Sequence, residues 1–376
     1  YSNATSSLKH CIIENGSSYN VYCATTIQPS LIENCIFRNS SGNGLKLYDA
    51  DNITFNNCEF DNTASDGLYS QYSSGLKFNN CSFSNSLKEG IELYDSDNPD
   101  FINCIISNVQ GRGLYLSETQ TTDIIGCTIQ NCDTALYVFN SGICKLDNTQ
   151  IQNNNNGVWS NHYVEMYNSS ITNTAYPGFP VWANYIYGFP LLVNSTIEDN
   201  NTSINIGGGD LRYSRYWPYF EQGYILTTSA RIFGASANTS NHARLTISSG
   251  NTIRFASGVQ LQFGYTDSYH YGGELFADGT EENPITFTSL NGAVGGWNGL
   301  YFQNSSDAYG ATSSLKHCII ENGNDYNVYC ENTIQPTITR TLIKNSKTYG
   351  LKCYEASPTI SSSFIIDTLF VWLKQL

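Results

Sequence analysis

An all-β chain wound as a parallel β-helix, with about 23 residues per coil, is the fold this sequence predicts. Three observations carry that expectation. Cysteine returns at one fixed interval, at Cys35, Cys58, Cys81, Cys104 and Cys127, and Cys11 stands one such interval plus a single position ahead of Cys35. Asparagine keeps the same beat four residues after each of them, at Asn15, Asn39, Asn62, Asn85, Asn108 and Asn131. Between these columns run short alternating stretches such as Gly44-Leu45-Lys46-Leu47-Tyr48 and Gly90-Ile91-Glu92-Leu93-Tyr94. Alternation over four to eight residues marks a strand with one buried face.

Each element of the repeat has a physical reason. Coils stacked at the ~4.8 Å inter-strand spacing bring equivalent side chains into columns. Inward columns must be apolar. Three residues before the cysteine stand Leu8, Ile32, Phe55, Phe78, Phe101 and Ile124; two after it stand Ile13, Phe37, Phe60, Phe83, Ile106 and Ile129. The Asn column suits a recurring bend, where the amide bonds the backbone of that bend or the Asn one coil away. Gly44, Gly67, Gly90 and Gly113, nine residues after the cysteine, suit bends that need positive φ or lack room for a Cβ. The cysteines point into a packed core, where a free thiol behaves as a small hydrophobe. Parallel Cβ vectors suit a disulfide poorly. Free buried thiols are therefore expected.

The Asn-Cys-x-Phe-x-x-Asn turn, followed by Gly-Leu-x-Leu-Tyr, resembles the right-handed parallel β-helix of the pectin-lyase-like superfamily. The resemblance covers nearly all of the chain and implies a right-handed coil. It implies little about activity, because that fold hosts lyases, hydrolases, tailspikes, adhesins and inert surface fibres. The hydrolase signatures of the resembled family (Asn-Thr-Asp, Asp-Asp, Gly-His-Gly, Arg-Ile-Lys) are absent.

Taken in order, residues 1–206 read as the C-terminal coils of one β-helical module. Regular coils fill 31–148; Thr149, Ser169 and Ser195 then replace the cysteine at looser intervals. Tyr176–Pro190, with Trp182 and Tyr185, reads as a longer loop or lobe. Residues 207–223 read as a junction. Residues 224–376 read as the opening coils of the next module, with longer and more β-branched strands; in the resembled proteins such a block opens a module. A duplication supports this division. Ala4–Gly16 recurs unchanged as Ala311–Gly323, Tyr19–Cys23 as Tyr326–Cys330, and Thr26–Pro29 as Thr333–Pro336, all at an offset of 307. Two periods are nested, and the simplest parent is an array of modules, each roughly 60–65 Å of rod. The final residues, Thr368–Leu376, read as a cap or an uncovered coil.

The net charge of −14 argues against nucleic acid and anionic membranes as partners. No run reaches the roughly 18 apolar residues of a spanning helix, so no membrane insertion is expected. No spacing of Cys and His suggests zinc, and neither a metal nor a cofactor is expected.

Two columns invite functional readings. An acidic one lies at Asp49, Asp95 and Glu118, with Asp51 and Asp97 two residues further along each coil. Asp95, Asp97 and Glu118 are candidate calcium ligands, and Asp95 with Glu118, one coil apart, is a candidate pair of catalytic carboxylates; the bland alternative is an acidic turn that caps its own bend. The second column lies eleven after the cysteine, at Tyr22, Lys46, Tyr69, Glu92 and Tyr115, continuing to Tyr137 and Trp159. Tyr69, Tyr115, Tyr137 and Trp159 are candidates for stacking glycan rings or meeting a second rod, against the alternative of aromatic packing within a sheet face. No residue is assigned to catalysis. The leading expectation is a non-catalytic structural module of a long secreted or cell-surface fibre of tandem repeats, whose partner is itself. The alternatives are a glycan-binding adhesin with an exposed aromatic ladder, and a polysaccharide lyase or hydrolase.

Overall fold

The structure, a computed structural model, describes residues 6–24, 29–175, 177–236, 242–267, 269–366 and 370–374. Residues 4, 5, 26–28, 176, 367–369, 375 and 376, with the side chains of 370–374, lie outside that description although expectations above fall on them. The chain forms two units: Tyr1–Ala183 with Gly188–Thr202, and Asn184–Tyr187 with Ser203–Leu376.

In the first unit the coils contribute their strands to three parallel sheets. The first sheet holds nine strands, from Ser6–Lys9 to Leu191–Val193; the second holds nine, from Ile12–Glu14 to Thr196–Glu198. The third begins at Tyr19–Ala24 and includes Val181–Ala183. Register follows the period of the sequence. Phe78 pairs with Phe101, Phe83 with Ile106 and Leu93 with Leu116. The inward phenylalanines therefore stack ring on ring. Phe55, Phe78 and Phe101 have centroids 4.7 and 4.9 Å apart, and Phe37, Phe60 and Phe83 have centroids 4.8 and 4.6 Å apart. That is the inter-strand spacing itself, so one geometry satisfies backbone ladder and core packing together.

The cysteine column is buried from Cys35 to Cys127, and all twelve cysteines are free. It also has a polar role. Each thiol points at the carbonyl two residues earlier and at one from the preceding coil: Cys58 Sγ lies 3.4 Å from Asn56 O and 3.5 Å from Ile32 O. It also accepts, since the Cys104 N–H donates to Cys127 Sγ at 3.3 Å. Thr149 takes over without a break. Its hydroxyl donates to Ile124 O at 3.0 Å and Asp147 O at 3.2 Å, and accepts the Cys127 N–H at 3.3 Å. The Thr149 N–H then donates to Ser169 Oγ, and the Ser169 N–H to Ser195 Oγ. Cys, Thr and Ser interchange here because each is small and both donates and accepts.

Just outside this column the backbone turns through the left-handed region. Asn34, Asn57, Asn80 and Asn103 have φ of 52–54°; Asn39, Asn62, Asn85, Asn108 and Asn131 have φ of 51–58°. Asparagine tolerates that region better than other side chains. Its amides also form the expected ladder: Asn62 Nδ2 donates to Asn39 Oδ1 at 2.7 Å and Asn131 Nδ2 to Asn108 Oδ1 at 3.2 Å. Asn85 departs from it and donates to Asp61 Oδ1 at 2.7 Å. The Gly44–Gly113 column serves close approach, not positive φ: a Cβ on Gly67 would lie 2.6 Å from Gly90 O.

The stretch read as a longer loop or lobe contains, within its described residues 177–190, one strand and one 3-10 turn at Ile186–Gly188. Val181–Ala183 is a strand paired with Val158–Ser160, with Val181 and Ala183 buried. So short an alternation is too little to read as a strand from sequence.

In the second unit the coils lengthen. Leu245 pairs with Leu275 and Leu261 with Leu300, both across wider separations than the regular beat of the first unit. The regular step returns where Ser314 pairs with Thr337. Residues 207–223 carry two short strands, Gly209–Leu211 and Arg215–Trp217, each with a parallel partner in this unit. A small antiparallel hairpin, Tyr265–Thr266 with His270–Tyr271, is inserted on one coil. Residues 370–374 continue the ladder beside Tyr349–Tyr354.

Candidate functional site

The aromatic column exists as a register column of the third sheet. Tyr69 pairs with Glu92, Glu92 with Tyr115, Tyr115 with Tyr137, Tyr137 with Trp159, and Trp159 with Trp182. Trp182 extends the column beyond its expected end, because the stretch around it does not read as a strand. Tyr69, Tyr115, Tyr137 and Trp159 are half-buried, not exposed as expected. Side chains of this column and of the next one along the strand cover them. Lys46 Nζ lies 5.8 Å from the Tyr22 ring and 5.6 Å from the Tyr69 ring. Arg112 Cζ lies 3.8 Å from the Tyr115 ring and 4.8 Å from the Tyr137 ring. Tyr137 and Trp159 stack at 4.1 Å with planes 3° apart. A face that already holds a cation or another ring is not free for a sugar, so the column is largely satisfied from within.

The acidic column sits at a corner of the coil. Asp49, Asp95 and Glu118 have φ of 52°, 46° and 57°, the left-handed conformation that the other corners give to Asn. Two residues on, Asp97 accepts the Gln120 N–H at 3.1 Å and Gln120 Nε2 at 2.8 Å, and Asp51 accepts the Ser74 N–H at 2.7 Å. These carboxylates bond the bend of the next coil. Among the described residues no three His, Cys, Asp or Glu side chains gather as a cation would require. Asp95, Asp97 and Glu118 are thus placed as turn residues and not as a ligand cluster.

A polar column with two buried carboxylates, Asp66 and Glu89, is not visible in the sequence. Asn43, Asp66, Glu89 and Arg112 occupy successive coils. Asn43 Oδ1 accepts the Asp66 N–H at 3.3 Å, Asp66 Oδ1 accepts the Glu89 N–H at 3.2 Å, and Glu89 Oε2 accepts the Arg112 N–H at 2.5 Å. Glu89 Oε1 also pairs with Arg112 Nη2 at 2.7 Å. Asp66, 2% exposed, has Lys88 as its cationic neighbour, at 3.5 Å, and burial pushes its carboxyl up to about 6. The changing residue type hides the column, since Asn, Asp, Glu and Arg share no pattern except their interval. Burial likewise pushes the Cys132 thiol up to about 12 and raises Cys144, so neither is a nucleophile near neutral pH.

No described helix is long and apolar enough to cross a membrane. Residues 1–142 match the family model described as the right handed beta helix region. The comparison with curated proteins gave no match. Parallel sheets, coil-by-coil register and this match agree: the chain is a right-handed parallel β-helix repeat protein.

Proposed function

We propose that this chain is a non-catalytic structural module of a long extracellular or cell-surface fibre built from tandem β-helical repeats, with itself as principal partner. The duplication carries the reading. Ala4–Gly16 recurs without a change as Ala311–Gly323, and near-identity between distant copies suits an array whose task is length. Side-chain chemistry supports it. The corner hydroxyls, thiols, amides and carboxylates bond neighbouring coils, which is what a stacked rod needs.

A glycan-binding role is the second reading, supported only by the part of the aromatic column from Tyr115 to Trp182 that its neighbours leave uncovered. A glycan array, with polysaccharide digestion followed by reducing-end and unsaturated-product assays, separates the readings. The fibre reading expects neither binding nor products. Binding lost in both Tyr137→Ala and Trp159→Ala would replace it with an adhesin. Turnover lost in Asp95→Asn or Glu118→Gln would replace it with a lyase or hydrolase.

A further inference from the structure

The duplication places one sequence in two surroundings. Ser6–Lys9, Ile12–Glu14 and Tyr19–Ala24 are each the first strand of their sheet. Their counterparts Ser314–Lys316, Cys318–Glu321 and Tyr326–Glu331 lie inside their sheets, on a coil made by Gly273–Asp278, Ile285–Ser289 and Leu300–Phe302. The change in burial is large. Ile12 is 60% exposed and Tyr22 45%, and Cys11 and Cys23 are half-buried. Cys318 is 2% exposed and Cys330 fully covered.

We propose that the uncovered face of the Ser6–Ala24 coil is a docking surface for a second copy of the Gly273–Phe302 coil. Sequence identity argues for that occupant over any other. The nine register positions of the covered coil are Ser314, Leu315, Lys316, Cys318, Ile319, Ile320, Val328, Tyr329 and Cys330. At an offset of 307 every one has the same residue in the uncovered coil, from Ser7 to Cys23.

The polar acceptors are retained as well. In the covered copy the Gly279 N–H donates to Lys316 O at 2.8 Å, Trp297 Nε1 to Glu321 O at 2.8 Å, and the Gly295 N–H to Asn322 O at 3.0 Å. Lys9, Glu14 and Asn15 supply the same carbonyls. Backbone shape is also kept, with φ of 54° at His10 against 47° at His317, and 65° at Asn15 against 68° at Asn322. Cys318 Sγ points at Ala277 O of the covering coil at 3.2 Å, whereas Cys11 Sγ points at Lys9 O of its own coil, at 3.1 Å. One contact has no equivalent: Tyr301 bonds Glu331, and position 24 is alanine.

This deepens the fibre reading and rests on it only for the source of the covering coil. Its test needs no filament. A chain is made with residues 224–310 placed directly ahead of Ala4, which recreates the native Gly310–Ala311 junction. Maleimide labelling of Cys11 and Cys23 is followed by peptide mass spectrometry, with Cys318 and Cys330 as protected internal references. In the present chain Cys11 and Cys23 label and the references do not. In the extended chain both should slow by at least about tenfold, a protection set by local opening. Phe287→Asp in the added copy alone should restore labelling. Unchanged labelling of Cys11 and Cys23 would overturn the proposal, whether the added residues resist trypsin or are digested by it, because a docked coil is protected. Native material that forms no filaments would sink the fibre reading and leave this result standing.

Discussion

Corner side chains are chosen, residue by residue, for their hydrogen bonds as much as for their size. Thr149 shows the requirement most clearly, because it is fully buried and bonds three backbone groups. Thr149→Val keeps the shape and removes both donor and acceptor. It should cost about 1–3 kcal/mol in urea unfolding, the penalty for leaving buried polar groups unmade. Thr149→Cys should cost less than about 1 kcal/mol, since a buried thiol fills the same place from Cys35 to Cys127 and keeps the bonds. Equal losses in the two variants would show that the column is only apolar packing.

Asp66 gives a second prediction for a single side chain, with a definite sign. Its folded carboxyl is raised from 3.8 to about 6 by burial, so the neutral form is the one that folding favours. Its contribution is present below about pH 4 and is lost as pH rises through about 6. Asp66→Asn should therefore stabilise the protein at pH 7 by about 2–3 kcal/mol. It should also flatten the stability profile between about pH 4 and pH 7. Asn43 already fills the same role one coil away, accepting the next N–H through its amide oxygen. A variant less stable than the parent at neutral pH would mean that the Lys88 contact outweighs desolvation.

Among the elements, each strand is short and its place is set by neighbouring coils. The glycine column shows how little slack exists. A Cβ on Gly90 would lie 2.6 Å from Gly113 O and 3.0 Å from the Ile106 side chain. Gly90→Ala should cost about 1–3 kcal/mol, the range for forcing atoms into a packed interior. Loss of amide protection should centre on Ile91–Tyr94 and its two partner strands. An effect spread evenly over the unit would argue against local crowding as the cause.

The elements most legible in the sequence are those with an unbroken beat. Interval alone places Phe55, Phe78 and Phe101 in one column, and their rings stack. Coils with insertions are harder. Leu261 and Leu300 pair across a stretch that includes the hairpin at Tyr265–Tyr271, and no interval betrays that pairing. The aromatic column misleads for a different reason. Spacing puts Tyr137 and Trp159 on one face, but it does not say whether their rings look outward or at each other. They stack on each other.

In the molecule as a whole, two copies of one coil lie in one chain, one covered and the other not. A solenoid is stabilised coil by coil through nearest neighbours. An uncovered coil should therefore open before its covered twin. Hydrogen exchange checks this without altering the sequence: amides of Tyr19–Cys23 should exchange faster than those of Tyr326–Cys330, by at least about tenfold. Equal rates would mean that the covering coil adds nothing to stability.

If such modules stack into a long fibre, electron microscopy of the native material near neutral pH should reveal it directly. Unbranched filaments are expected, with an axial repeat of roughly 60 Å set by the stacked coils of one module at about 4.8 Å each. Dispersed particles at every concentration, with no axial repeat, would mean that the modules do not build a fibre.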